Sequence, residues 1–191
     1  MKKFLLALLT GSVLTGIILL SSCNKSNSII APLNADTSVV VVNFSPSSSY
    51  AFFSFKNGTV MNTDSASSKW DFGLRLTTFL VNSNTSGPGN AGVIMQDGIF
   101  DNIKSAPATG YAYDTTSSKM AIKDGSWYTY NVMTHAFAPI PGKIFIFRTA
   151  DGHYAKMEIL EVTYEPFVGP TPIKLDYKIR FIYQANGSAN F

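Results

Sequence analysis

Residues 173–183 read IKLDYKIRFIY, and this alternation constrains the fold more than any other feature of the chain. Ile173, Leu175, Tyr177, Ile179, Phe181 and Tyr183 share one parity, while Lys174, Asp176, Lys178 and Arg180 share the other. Successive strand side chains point to opposite faces, so a strict period of two predicts a β-strand with one face buried. WDFGLRL repeats the pattern, with Trp70, Phe72, Leu74 and Leu76 expected inward and Asp71 and Arg75 outward. YAKMEI sets Met157 and Ile159 against Lys156 and Glu158. TSVVVVNF and KIFIF are apolar at both parities, as expected of central strands covered on both sides. Lys56-Asn57-Gly58, Asp124-Gly125 and Asp151-Gly152 punctuate these runs with residues suited to the positive φ of tight turns. Only DGIFDNI (97–103) suggests a short helical turn, opened by an acidic cap. The aromatic fraction of 13% agrees with the expectation of a single all-β antiparallel domain over 37–191, with short or no helices.

The first residues follow a different logic. Lys2 and Lys3 precede an apolar run over 4–20, and LSSC ends at Cys23. A basic start, an apolar stretch and small residues before a cysteine form a secretory lipoprotein signal, in which the cysteine takes the lipid. A run of this length is at the short limit for crossing a bilayer. Residues 1–22 are therefore read as a signal peptide, and 23–36 as a flexible tether from a lipidated Cys23, with the membrane as partner. Without the lone Cys23 the chain has no thiol for a disulfide, a zinc site or a nucleophile. Removing Lys2 and Lys3 leaves 15 − 2 = 13 basic against 12 acidic residues, with no basic block for nucleic acid.

Few residues suggest chemistry. GPGNAG (87–92) has dinucleotide-motif spacing, but VIM follows where that motif needs a helix, so it reads as a loop. His153, in RTADGH, reads as an exposed turn residue. No HExxH or GxSxG is present, and the chain is read as non-enzymatic with no protein metal site. NVMTHAFAPIPG (131–142) is the open question. His135 is either a loop histidine bonded to backbone or a ligand, and Met133 is either core filler or a soft thioether donor. Met120, in SSKMAIKDGS, is a second such methionine.

Taken in order, the lipoprotein signal, YAFFSFKNGTV, KWDFGLRLTTFLVNSNTSGPGNAGV, WYTYNVMTHAFAPIPGKIFIFRTADGHYAKMEI and YKIRFIYQANGS resemble the HmuY-like haem-binding lipoproteins of Gram-negative bacteria. The resemblance spans nearly the whole chain after the signal. It implies an all-β fold, an outer-membrane location at the cell surface or periplasmic face, and capture of haem for hand-over to an outer-membrane receptor. It also implies two axial ligands. One follows the Trp-aromatic strand, where this chain has Met133 with His135 beside it. The other lies in a long insertion before that tryptophan, which here is reduced to AYDTTSSKMAIKDGS with Met120 as its soft donor. The competing expectation is a surface module for a glycan or protein ligand, with Tyr128 and Tyr130 as an aromatic row.

Overall fold

The computed structural model describes residues 38–44, 49–164, 167–168, 171–172 and 174–191, with side chains described over 49–164 and 174–191. The signal segment, Cys23, the tether and Ile173 lie outside the described residues. In chain order the first strands are β1 (Ser38–Phe44), β2 (Ala51–Ser54), β3 (Gly58–Val60), β4 (Phe72–Arg75), β5 (Thr78–Val81) and β6 (Gly92–Asp97). They are followed by β7 (Tyr128–Asn131), β8 (Ala136–Pro139), β9 (Lys143–Arg148) and β10 (Tyr154–Tyr164). The last are β11 (Phe167–Val168), β12 (Thr171–Pro172) and β13 (Leu175–Gln184). Among the described residues the only helical pieces are two 3-10 turns, so the fold is all-β.

A five-stranded antiparallel sheet runs in the order β1-β13-β10-β9-β6, and a four-stranded antiparallel sheet in the order β3-β2-β4-β5. The expected alternation in β13 holds: Leu175, Tyr177, Ile179 and Phe181 are buried in the main core. Phe53, Phe72, Leu74 and Phe79 of the smaller sheet belong to the same core. Aromatic rings join the two sheets, with Phe79–Phe145 centroids 5.3 Å apart and Phe53–Phe181 5.7 Å apart. Each fully buried ring contributes about 1.5–3 kcal/mol over an exposed one.

KIFIF is central as expected, with Ile144, Phe145, Ile146 and Phe147 all buried between β10 and β6. Its second face meets a smaller cluster of Phe100, Ile144 and Ile182. Phe100 opens the 3-10 turn Phe100–Asn102, which carries no side-chain cap, so the expected acidic cap is absent. This turn explains why Lys156 departs from the exposed position expected of it. Phe100 lies over the strand, and Lys156 is 2% exposed with Nζ donating to the carbonyls of Phe100 (2.8 Å) and Ile103 (2.7 Å).

Other expectations are corrected as well. β1, from the run expected centrally, lies at the edge of its sheet, and among the described residues it pairs with β13 alone. Trp70 does not share the core of Phe72 and Leu74 but packs on Phe52 and Val60 in a separate cluster, because the chain bends at Asp71 before β4 begins. Leu76 lies in the turn after β4, at φ 50°, rather than in a strand, but it faces inward as expected, half-buried against the main core. Asp71, expected outward, is 4% exposed: its carboxylate accepts the backbone N–H of Phe55 (2.8 Å) and of Ala150 (2.7 Å), tying the two sheets together. His153 is half-buried rather than exposed, with Nδ1 2.9 Å from Asp151 and 3.2 Å from the Tyr183 hydroxyl.

Candidate functional site

Cross-strand partners share a face of a sheet. In the smaller sheet Phe52 pairs with Gly73, Gly73 with Leu80, and Arg75 with Thr78, so these residues form the face turned away from Phe72 and Leu74. Phe52 needs Gly73 beneath it, since a Cβ there would stand 2.9 Å from the Phe52 ring. Tyr50 extends this face, with its ring centroid 4.5 Å from the Arg75 guanidinium carbon. An open groove of about 440 Å³ runs over Tyr50, Arg75, Thr78 and Leu80. Its walls are Thr85 and Ser86 on one side and Ser117 and Met120 on the other. A neighbouring depression of about 500 Å³ continues past Thr85 and Ser86 to Phe52, Gly87 and Pro88.

Two buried polar side chains build those walls. Asn82 donates through Nδ2 to the carbonyls of Trp70 (2.7 Å) and Ser67 (3.0 Å), and its Oδ1 accepts the N–H of Gly89 (2.8 Å). A Cβ on Gly87 would fall 2.2 Å from Asn82 Oδ1 and one on Gly89 2.7 Å from its Cγ. Gly87 and Gly89 of GPGNAG thus admit the Asn82 side chain, and the third glycine, Gly92, opens the strand β6 where a dinucleotide motif would need a helix. Asp114, fully buried, accepts the N–H of Val81 (2.8 Å) on one oxygen and of Ala121 (2.7 Å) on the other. Its own N–H donates to Ser83 Oγ (3.0 Å), and its carbonyl accepts from Thr85 (3.2 Å). One aspartate therefore fixes the end of β5, the Ser83–Thr85 loop and the backbone beside Met120.

The open stretch NVMTHAFAPIPG forms a hairpin. β7 and β8 form their own two-stranded sheet, and residues 132–135 are its turn. Asn131 Oδ1 accepts the N–H groups of Met133 (2.9 Å) and Thr134 (3.2 Å), closing an Asx-type turn. His135 completes it at φ 54°, with Nδ1 2.9 Å from the Tyr130 hydroxyl. Met133 is 87% exposed and Val132 69%, so neither is core filler. The ribbon is docked through Tyr164, whose hydroxyl accepts the N–H of Phe137 (2.7 Å) and donates to its carbonyl (2.5 Å).

No family model and no curated protein matches the sequence. Among solved structures, the chain is similar to a Bacteroides vulgatus protein assigned as HmuY-like and heme binding, with 17% identity, a TM-score of 0.50, and coverage of 78% of this chain and 93% of that one. The fold is HmuY-like. Two further structures are reported beside it. Apo PinO from Porphyromonas gingivitis has 14% identity and a TM-score of 0.49, covering 78% of this chain and 99% of its own. The apo HmuY analog of Tannerella forsythia has 14% identity and a TM-score of 0.48, covering 77% and 97%.

Within this HmuY-like fold the three donors picked out from the sequence fall in two places. Met120 is half-buried and lines the groove. Met133 and His135 sit together on the β7–β8 turn and do not line the groove. Tyr128, one of the two tyrosines of the aromatic row, packs edge-on against Trp127 and Phe137, while Tyr130 is 52% exposed. Sequence reasoning missed Asp114, Asn82 and the Tyr50–Arg75 pair. An aspartate inside a short polar loop and an asparagine just after a strand carry no periodic signal. Among the described residues no group of three or more His, Cys, Asp or Glu side chains is placed to hold a metal ion, and no helix is long and apolar enough to cross a membrane.

Proposed function

We propose that this chain is a cell-envelope lipoprotein, anchored through Cys23, that binds haem in the groove beside Met120 and passes it to an outer-membrane receptor. The observation that carries this reading is the place of Met120: it is the candidate donor that lines the groove, on a fold of the HmuY-like type. The residues present fit the group. A thioether is an accepted axial ligand of haem iron, Tyr50 and Leu80 offer an aromatic and an apolar surface, and about 440 Å³ is in the range of small-molecule sites. Met133 and His135 are the further donor candidates. With His135 Nδ1 engaged by Tyr130, Nε2 is the atom left for an iron, and the phenol fixes the ring as second partners of metal-bound histidines do. Bound haem supplies iron as cargo, and the protein's part is to hold and release it.

Haem titration of detergent-solubilised full-length protein tests the reading. Wild type is expected to develop a shifted Soret band. Binding should be tighter in reducing than in oxidising buffer, because a soft thioether favours Fe(II). Met120→Ala is expected to weaken binding at least tenfold, and Met133→Ala or His135→Ala to weaken it if the hairpin supplies the second ligand. A wild type without a Soret shift in either redox state removes haem capture as the function. Equal binding by all three variants removes the ligand assignment.

The anchor is tested separately. Mass spectrometry of protein from membranes is expected to show residues 1–22 absent and an acylated Cys23. Cys23→Ser should leave the membrane fraction, and its firm retention there would contradict the lipid anchor.

A further inference from the structure

The groove has one charged wall residue with nothing to pair with. Arg75 ends β4 and is half-buried. Among the described residues it makes no ion pair and no side-chain hydrogen bond, and its guanidinium stacks on Tyr50. Arg180 shows the usual alternative on the same molecule: it bonds Glu158, faces Asp101 at 3.7 Å and stacks on Phe100. A stacked guanidinium uses its face and keeps its N–H donors in the plane, where they match the two oxygens of a carboxylate. No aspartate or glutamate lines the groove, while Thr78, Thr85, Ser86 and Ser117 offer hydroxyls around the cation.

The backbone next to Arg75 is also held in place by the core. Leu76 and Thr77 form the turn directly after Arg75. The Leu76 carbonyl accepts the Tyr177 hydroxyl, and the Thr77 carbonyl accepts the Trp127 indole N–H at 3.1 Å. Both donors are buried core residues, so the end of β4 cannot drift without disturbing the core. A preorganised donor loses less freedom on binding than a mobile one.

We propose that Arg75, stacked on Tyr50, is the anchor for a carboxylate of the ligand that occupies the groove. The proposal rests on the reading of the groove as a ligand site, and it names the chemistry that the groove selects. Two sources supply such a carboxylate beside a ring that fits this volume: the propionates of a porphyrin and the uronic acid of a saccharide.

The experiment separates the two sources and the two readings. Detergent-solubilised full-length wild type, Arg75→Gln and Arg75→Lys are titrated with haem and with haem dimethyl ester, which lacks free carboxylates. They are also titrated calorimetrically with digalacturonate and with its neutral counterpart, digalactose. Wild type is expected to prefer the acid over the neutral member of one pair by at least tenfold. Arg75→Gln should abolish that preference by weakening the acid member much more than the neutral one, and Arg75→Lys should retain part of it. Arg75 makes no ion pair among the described residues, so Arg75→Gln loses only the stack on Tyr50, and its thermal midpoint should fall by no more than about 4 °C. If haem does not bind but digalacturonate does so with this Arg75 dependence, haem capture fails and the carboxylate anchor stands. If haem binds and Arg75→Gln keeps the wild-type acid-to-ester ratio, the anchor fails and haem capture stands. No acid preference in either pair overturns the anchor.

Discussion

Asp114→Ala is expected to lower the stability of the domain by about 4 kcal/mol, because two buried N–H donors lose their acceptor at about 1–3 kcal/mol each. Val81 and Ala121, 33 and 7 residues away in sequence, are those donors. A domain of this size should lose about 10 °C in thermal midpoint. Asp114→Asn keeps one acceptor and turns an amide N–H₂ toward the other donor, so its loss should be intermediate. Chemical denaturation of the three proteins checks the order. The same substitution should weaken any ligand of the groove more than it disturbs the β7–β8 hairpin, since Asp114 fixes the backbone next to Met120 and touches nothing on the ribbon. A stability within about 0.5 kcal/mol of wild type, the ordinary range of surface changes, would show that the staple carries no weight.

The second large effect is a fall in stability as pH rises from about 4 to about 7. Burial raises the Asp71 carboxyl from 3.8 to about 6, against the lowering effect of hydrogen bonds from Ala150 and Phe55. A folded-state value above the unfolded one means that the unfolded chain loses its proton first. Asp71 therefore favours the fold most below pH 3.8, and the advantage is gone once pH has passed 6. The distance between the two values corresponds to about 3 kcal/mol. Asp151 has the opposite sign. Burial alone would raise its carboxyl, but hydrogen bonds from Thr149, His153 and Tyr183 hold it at about 2, so its contribution is present above 3.8 and lost as pH falls through 2. The two together place the optimum near about pH 4. Urea titrations from pH 2 to pH 8 should show a descending limb above that optimum in wild type and a flat one in Asp71→Asn. The slope is the readout, because the amide also sets an N–H₂ against a backbone donor and lowers stability at every pH. A wild-type profile that is flat or rising between pH 4 and pH 7 would contradict this account of Asp71.

The sequence carried most of the strand pattern and little of the site. Strict alternation in β13 was legible because parity alone decides which face a side chain takes. The doubly apolar KIFIF was legible as a strand covered on both sides. The same rule placed TSVVVVNF centrally, yet β1 is an edge strand, because a run of valines reports the taste of a strand for burial and not the number of its partners. Parity also placed Asp71 outside. It could not register the N–H of Ala150, 79 residues on, which makes burial of that carboxylate tolerable. Lys156 failed for the related reason that the 3-10 turn at Phe100 covers the second face of its sheet. The groove is made by register: Arg75 meets Thr78 and Gly73 meets Leu80 only after β4 and β5 have paired.

The ribbon of β7 and β8 has one further consequence. Its ladder closes on itself, with Tyr128 paired to Pro139 and Asn131 to Ala136, and among the described residues no strand of the five-stranded sheet pairs with it. Tyr164 clasps it at Phe137, which pairs with Tyr130 one step short of the Asn131–Ala136 pair that closes the turn, so the tip itself lies beyond the clasp. Residues inserted between Val132 and Thr134 would lengthen a solvent-facing tip at a cost that grows only slowly with length. Lineages and engineers alike can therefore change what this tip carries, a donor, an epitope or a longer finger, while the sandwich beneath keeps its register.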